Sequence, residues 1–483
     1  MFDFTAQQVT DATSATLVAG PADIVCHDCV FDSRLAQAGS LFVAFPGEFV
    51  DGNDYAEAAA AAGATVIAMT GTAPEGLLEA ARRGEVAVLH CDGDDGEEFL
   101  LRLAASWRAA NPQWKVVGVT GSVGKTTTKD MCAAALATRY RVHATSGNFN
   151  NLIGMPATLL SASAEDEALV VEMGMNHTGE ISRLTRACRP DVALVTNVGT
   201  SHIGFLGSQE NIARAKAEIL EGMGPSSRPT ASGVTPMLAL VDGDGFTDFI
   251  STQFAEPAGV DVMLVGGSDA AAVRARDVEL DAQGHPSFTL EMDGLSRPTT
   301  LPVASRQLVS DFLLAMAVSV RLGADAGEAA AAVEAMKPTH MRLEVVEAAC
   351  GARVIDDSYN ASPSSMAAAL DVLCAMELPE GGRRIAVLGQ IGELGASAAH
   401  LHSLIGAYAA AKPLDLIAFV GGEDADSMAA AARIMGFSDD KIERFDDVEA
   451  AIKVIPQLLG PHDLVLAKGS RSVGLDRLVQ EVR

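Results

Sequence analysis

Basic residues are scarce in this sequence: 35 Lys and Arg stand against 63 Asp and Glu, a formal net charge of −28. So large an acidic excess repels phosphate backbones and anionic lipid, which argues against nucleic-acid or membrane-surface binding. An anionic substrate would have to be drawn in by local Lys, Arg, helix N-termini and metal ions. Cysteine is sparse too, seven in 483 residues, and suggests no disulfide framework. The CxxC at Cys26-His27-Asp28-Cys29 has no second ligand pair at zinc spacing. It lies in the alternating stretch Ile24 to Phe31 and does not open a helix as a redox pair would, so it reads as two packed thiols. Long apolar runs are missing: Ala58 to Met69 is Ala-rich and too short to span a bilayer. The N-terminus carries Asp3 and no basic n-region, so no signal peptide is expected and the cytoplasm is the expected compartment. There is no internal repeat and no low-complexity linker.

What the chain does have is Lys125. It sits in Val117-Gly118-Val119-Thr120-Gly121-Ser122-Val123-Gly124-Lys125-Thr126-Thr127-Thr128, directly after an apolar run. A strand breaking into small residues and then Gly-Lys-Thr makes a bed of backbone N–H groups for a polyphosphate at a helix N-terminus. Thr120 to Thr127 are therefore the candidate ATP contacts: the lysine supplies a point charge for the β/γ-phosphates and the Thr126 hydroxyl a Mg²⁺ ligand. The spacing departs from the general P-loop, with Val119 where the first glycine falls.

The length suggests three or four domains, and the pattern implies α/β architecture throughout. Residues 1–108 read as a small α/β unit, with strands at Ser40–Phe45 and Ala64–Met69 and helices at Tyr55–Ala62 and Arg102–Asn111. Residues 109–336 carry strands at Lys115–Val119, Ala168–Val171, Val192–Thr196 and Leu238–Val241 with helical patterns between, the signature of a mostly parallel sheet. Within this unit Asp248 to Pro302 reads as a strand-rich insertion or edge, followed by helices near Val309–Leu322 and Ala326–Met336. Residues 337–483 alternate again, with strands at Arg353–Asp356, Arg384–Leu388, Leu416–Val420 and Leu464–Ala467, a second, Rossmann-like doubly wound sheet.

Two further positions suit a metal-assisted phosphoryl site. Glu172 ends a core strand, where the Mg²⁺ partner of a P-loop belongs, and His202 follows the end of another strand of that sheet. Lys216, set among Ala213, Ala215 and Ala217, reads from its neighbours alone as a solvated helix position. By themselves these features point to a bound nucleoside triphosphate and leave open what becomes of its phosphoryl group; a P-loop NTPase that switches or couples to a partner without ligating is one reading.

Further segments carry a resemblance: Asp32-Ser33-Arg34, Gly39 to Ala44, Asp51-Gly52, Gly147-Asn148-Phe149-Asn150-Asn151, Glu172 to His177, Asp356-Asp357-Ser358-Tyr359-Asn360-Ala361-Ser362-Pro363, Glu393-Leu394-Gly395, His402 and Lys468 to Arg471. With these the chain resembles the Mur ligases of bacterial cell-wall synthesis over nearly its whole length, and within them the branch that adds D-alanyl-D-alanine. No Asp-Asn-Pro-Arg of the diaminopimelate-adding branch appears. The resemblance implies three domains binding UDP, ATP and the incoming dipeptide in turn. The substrates would be ATP, a UDP-N-acetylmuramoyl tripeptide and D-Ala-D-Ala, in a cytoplasmic, monomeric enzyme; a different amino acid or peptide acceptor is the alternative. It implies two Mg²⁺ ions, one on Thr126 and Glu172, the other on Glu172, His202 and a carbamylated Lys216, the lysine of Ala215-Lys216-Ala217-Glu218-Ile219. It assigns catalytic roles to Lys125, His202, Lys216 and Arg342, with Arg342 reaching the γ-phosphate and Asp357 the ribose. Substrate contacts fall to Ser33, Arg34, Asp51 and Gly52 at the UDP end and to Asn148, Asn151, Asn360 and Ser362. The family's Gly-x-His-x-x-x-Asn nucleotide segment is Ser305 to Asp311 here, which puts the acid Asp311 where a neutral amide is usual. Gln390 and Asn53 likewise replace a usual acid and a usual histidine.

Overall fold

The computed structural model describes residues 2–47 and 50–483. Three larger sheets follow one another along the chain. The first has five strands in the spatial order Thr16–Ala19, Ala87–His90, Val66–Met69, Ser40–Ala44, Asp28–Val30. All are parallel to their neighbours except the first, at the edge. Ser40–Ala44 and Val66–Met69 are buried at every position, as strands covered on both faces must be.

The central sheet has nine strands, and its spatial order runs Leu295–Thr300, Pro286–Met292, Val273–Leu280, Asp261–Gly266, Met237–Val241, Val192–Val195, Lys115–Thr120, Ala168–Glu172, Val142–Ala144. Seven strands are parallel; the last two in sequence return antiparallel. The return after Met292 is a tight Asp293-Gly294 turn with both residues at positive φ, the twist that suits a two-residue hairpin. The stretch expected to be strand-rich from Asp248 thus does extend the sheet edge, but only from Asp261. Before that, Thr247–Ile250, Ser251–Ala255 and Glu256–Ala258 form one run of helical turns with a π-turn in the middle. Its Phe246, Phe249 and Phe254 pack against the core, which outweighs the weak helix propensity of Ser251-Thr252.

The third sheet has the order Glu344–Glu347, Arg353–Asp356, Leu464–Lys468, Arg384–Gly389, Leu416–Val420, Ile442–Phe445, parallel but for its first strand. Apolar clusters cover both of its faces.

Scarce aromatics are concentrated where the first two sheets join. Trp107, at the end of helix Gly96–Ala110, meets Phe2, Phe4 and Trp114 edge-on, with centroids 5.7, 5.9 and 5.9 Å away. The CxxC is divided between two sheets: Cys26 pairs with Phe4, and Cys29 lies in the strand beside Ser40–Ala44. Burial pushes the Cys26 thiol up to about 12 and the Cys29 thiol up as well, which makes both inert packing groups.

Candidate active site

The loop after Lys115–Thr120 turns on two glycines. Gly121 and Gly124 have φ of 152° and 87°. A Cβ on Gly121 would lie 1.8 Å from the Thr196 hydroxyl, and one on Gly124 2.7 Å from an Asp311 carboxylate oxygen. Only glycine admits both the conformation and the approach. The loop is also tied to the next strand end: Val123 N–H donates to Asn197 Oδ1 at 3.1 Å and Gly199 N–H to Ser122 Oγ at 2.8 Å. Helix Lys125–Ala137 follows, so its N-terminus faces the cavity beyond.

That cavity, 590 Å³, lies between the central and third sheets. Its wall includes Ser122 to Thr127, Asn148, Asn151, Glu172, His202, Asp311, Arg342, Asp357, Asn360 and Ser362. The sequence-predicted residues of the second and third units therefore converge, with three exceptions. Thr120 and Gly121 lie behind the loop, and Lys216 is packed beneath it, 1% exposed. The reading of Lys216 as solvated is corrected by the structure: its helix Gln209–Ala217 turns that face inward with Ala213 and Ala217.

The charges are arranged in layers. Lys125 Nζ donates to Gly121 O at 2.9 Å, and burial holds its amine below the usual range despite the attraction of Glu172. Among the described residues Lys216 has no hydrogen-bond or ion-pair partner, and burial, with the charge of Lys125 adding to it, drives its amine well below its ordinary value despite the attraction of Asp244. Glu172 Oε1 accepts from Asn150 Nδ2 at 2.8 Å, whereas Oε2 is buried and has no partner among the described residues. An orphaned carboxylate oxygen beside the phosphate loop is the vacancy in bonding that a hard cation fills, so these residues fit Mg²⁺.

The other wall comes from the third sheet and the segment leading to it. Arg342 donates to Thr126 Oγ1 at 3.2 Å and lies over the Tyr359 ring, 4.2 Å from its centroid. Lys468 Nζ donates to Asp357 Oδ2 at 2.5 Å and to Asn360 O at 3.0 Å. His202 Nδ1 stands 2.6 Å from Glu393 Oε2, which approaches off the line of a ring N–H. That pairing holds the Glu393 carboxyl below its usual range. Burial pushes Asp311 up to about 8, so the acid is protonated at neutral pH and presents one donor and one acceptor, as an amide does. Asn151 Oδ1 caps helix Gly154–Ser161 through the Ile153 and Gly154 N–H groups, and Ser362 caps Pro363–Ala375.

Ser33, Arg34, Asp51 and Gly52 line no part of this cavity. Arg34 pairs with Asp32 at 2.6 Å and is open to solvent; Asp51 caps the turn Gly52–Tyr55 and, with Asn53, ties it to the strand end at Thr70. The Phe31 ring, next to Asp32, stands edge-on to Phe149 at 6.3 Å and brings this surface up to the Asn148–Asn151 loop. Residues that the sequence reading left without a role are Asn150, Tyr359, Glu393 and Lys468. Each lies in a segment singled out there, and the signal missed was its place at, or in the loop after, the C-terminal end of a parallel strand, where ligands bind in such sheets.

Three α/β sheets with a P-loop facing the third sheet across one cavity define a nucleotide-dependent ligase architecture, and the chain belongs to the Mur ligase family. It matches the Mur ligase family catalytic domain over residues 26–105, the Mur ligase middle domain over 119–319 and the Mur ligase glutamate ligase domain over 341–471. Within the family it is similar to UDP-N-acetylmuramoyl-tripeptide–D-alanyl-D-alanine ligase of Bacillus subtilis, 31% identical over 484 residues that cover 100% of this chain and 99% of that one. Among solved structures it is similar to MurF from Acinetobacter baumannii, with TM-score 0.85, 31% identity, and 99% and 98% of the two chains covered. MurF from Thermotoga maritima in complex with ADP shares the fold, with TM-score 0.76, 24% identity, and 94% and 97% covered. No helix among the described residues is long and apolar enough to cross a membrane.

Proposed function

We propose that this chain is an ATP-dependent amide ligase that joins D-alanyl-D-alanine to a UDP-N-acetylmuramoyl tripeptide in peptidoglycan synthesis. The observation that carries the reading is the convergence of P-loop, Glu172, His202, Arg342 and the Lys468–Asp357 pair on one cavity, in a chain similar end to end to ligases of that name. The terminal carboxylate of the tripeptide attacks the γ-phosphorus of ATP, ADP leaves, and an acyl phosphate remains. The dipeptide amine then attacks the acyl carbon, gives up a proton, and phosphate departs as the amide forms.

Residues 109–336 hold ATP through Ser122 to Thr127, with Lys125 neutralising charge on the transferring phosphoryl group. Arg342 leaves Thr126 to meet the γ-phosphate, and Asp357 reaches the ribose. Protonated Asp311 takes the place of a neutral amide beside the nucleotide. Thr126 and Glu172 would hold one Mg²⁺, which when bound spreads the charge of the phosphoryl oxygens. Lys216, buried with its amine held well below its ordinary value, is suited to react with CO₂: its amine adds to the carbon, loses a proton, and becomes a carbamate that with Glu172 and His202 would hold a second ion. Residues 1–108 meet the UDP end through Ser33, Arg34, Asp51 and Gly52, and residues 337–483 receive the dipeptide near Asn360 and Ser362. Closing the third domain over the cavity excludes the water that would hydrolyse an acyl phosphate.

The deciding experiment is mass spectrometry of the product from UDP-tripeptide, ATP and D-Ala-D-Ala. A mass gain of one dipeptide less water, with one ADP formed per product, is expected. ADP release that proceeds equally without tripeptide and dipeptide overturns the reading in favour of a non-ligating NTPase, and product with single amino acids alone assigns a different acceptor.

A further inference from the structure

Glu393 lies outside the phosphate loop and on a different sheet, yet it is the acid in contact with His202. The two residues belong to loops that meet backbone to backbone. Gly204 N–H donates to Glu393 O at 3.3 Å. A Cβ on Gly204 would come 2.7 Å from both Glu393 O and Gly395 N, and one on Gly395 2.9 Å from Gly204 Cα. His202 and Glu393 both sit at φ 63°, a conformation side-chain-bearing residues adopt rarely and hold only when their surroundings fix it. The Glu393 loop is fixed from behind: Ile391 N–H donates to His402 Nε2 at 2.8 Å and Gly392 N–H to Ser470 Oγ at 2.7 Å. The loop is thus an anchored arm of the third domain that delivers one carboxylate oxygen to within 2.6 Å of His202 Nδ1.

We propose that Glu393 is a positioning residue that engages His202 through Nδ1 when the third domain closes, and so makes the cation site depend on closure. With Nδ1 2.6 Å from a carboxylate, a small turn of the ring lets an Nδ1–H donate to Glu393, which leaves the Nε2 lone pair for a cation. Before closure His202 lacks that partner and its ring is free to turn. Binding of the third domain's substrate then improves the cation site, and the cation in turn favours the closed form, as linkage requires. The inference rests on the reading of His202 as a metal ligand.

The test measures Mn²⁺ binding by electron paramagnetic resonance to the full-length chain loaded with a non-hydrolysable ATP analogue, so that no ligation is needed. E393A and E393Q are each expected to weaken Mn²⁺ by about 10- to 100-fold, the usual effect of losing a partner of a metal-bound histidine. E393D recovers part of the loss. G204A keeps both side chains but forces the two loops apart, and is expected to weaken Mn²⁺ comparably. Mn²⁺ affinity within twofold of wild type in E393A and E393Q overturns the proposal, as does a loss in E393A with none in G204A. Failure of the ligase reading registers separately, as absent pentapeptide product from a wild-type protein that still binds Mn²⁺.

Discussion

Arg342 donates to the Thr126 hydroxyl at 3.2 Å while its guanidinium carbon lies over the Tyr359 ring. One side chain thereby joins the phosphate loop of the second sheet to the strand-end segment of the third. Its backbone neighbours Met341 and Leu343 both have positive φ, at 58° and 53°, so the segment between the domains is held in a tight, unusual course. The Thr126 hydroxyl engaged by Arg342 is also the one proposed to meet Mg²⁺. On that proposal, arginine and cation would exchange places on nucleotide binding, and the freed guanidinium would move toward the γ-phosphate. R342A should lower kcat by about 10²- to 10³-fold, the scale of losing one preorganised charge at a phosphoryl group. The KM for ATP should change by much less. R342K keeps the charge but loses the planar stack on Tyr359, and should recover only a small part. Steady-state kinetics with ATP varied checks the split; a large KM effect with kcat intact would show a ground-state contact instead.

Lys216 carries the second prediction. K216A should abolish measurable ligation and regain part of it in high concentrations of formate or acetate, small carboxylates that can enter where the carbamate stood. In wild-type protein, ¹³C-labelled bicarbonate should give a carbamate resonance that K216A lacks. Full activity in K216A without any carboxylate would refute the role.

The strands around the site were legible because each is a short apolar run ending in a residue that could not continue it. Ala168–Glu172 is buried throughout and stops at an acid; Lys115–Thr120 stops at Gly121. Glu172 could be proposed from that position alone. Lys216 could not, because alanine neighbours on a helix do not tell which face turns inward. The helical turns Thr247–Ala258 were missed because Thr, Ile and Phe favour strands locally, and only packing of three phenylalanines overrides that. The His202–Glu393 contact joins residues from two domains, and nothing local to either residue announces it. The UDP-end residues were legible as a motif, but their local hydrogen bonds show capping geometry and leave the ligand contact to experiment.

Asp311 sets up a pH prediction. Its carboxyl is raised to about 8 by burial, from 3.8 when exposed. Below pH 3.8 it is protonated in both states and costs nothing. As pH rises toward 8 the unfolded chain releases the proton while the folded one retains it, so stability is lost progressively across that window and no further above it. D311N removes this dependence. It should raise the melting temperature at pH 7.5 by a few degrees, on the order of 1–2 kcal/mol, and leave it nearly unchanged at pH 4. Because protonated Asp and Asn offer similar hydrogen bonds, the KM for ATP at pH 7 should stay within about threefold of wild type. A KM that worsens tenfold at pH 7 would mean the ionised form is the one that contacts the nucleotide.

The last prediction concerns Lys468 and Asp357. The pair is 3% and 11% exposed at the side chains, and burial holds the lysine below its usual range although Asp357 opposes the shift. The lysine also donates to Asn360 O, so it fixes the turn that carries Asn360 as well as the carboxylate. Removing one partner of such a pair strands the other charge, which typically costs about 3–5 kcal/mol, more than the pair itself is worth. K468M should therefore destabilise the third domain strongly and raise the KM for ATP, because Asp357 is left to reorient. D357N strands the lysine instead, which can shed its proton because its pKa is already lowered; the stability loss should be smaller. If Asp357 serves the ribose, D357N should still raise the KM for ATP by about tenfold, the worth of one good hydrogen bond to a charged acceptor. Denaturant melts of the two variants, set beside their ATP kinetics, separate the scaffold from the contact. Equal destabilisation with unchanged KM in D357N would reduce the pair to scaffold alone.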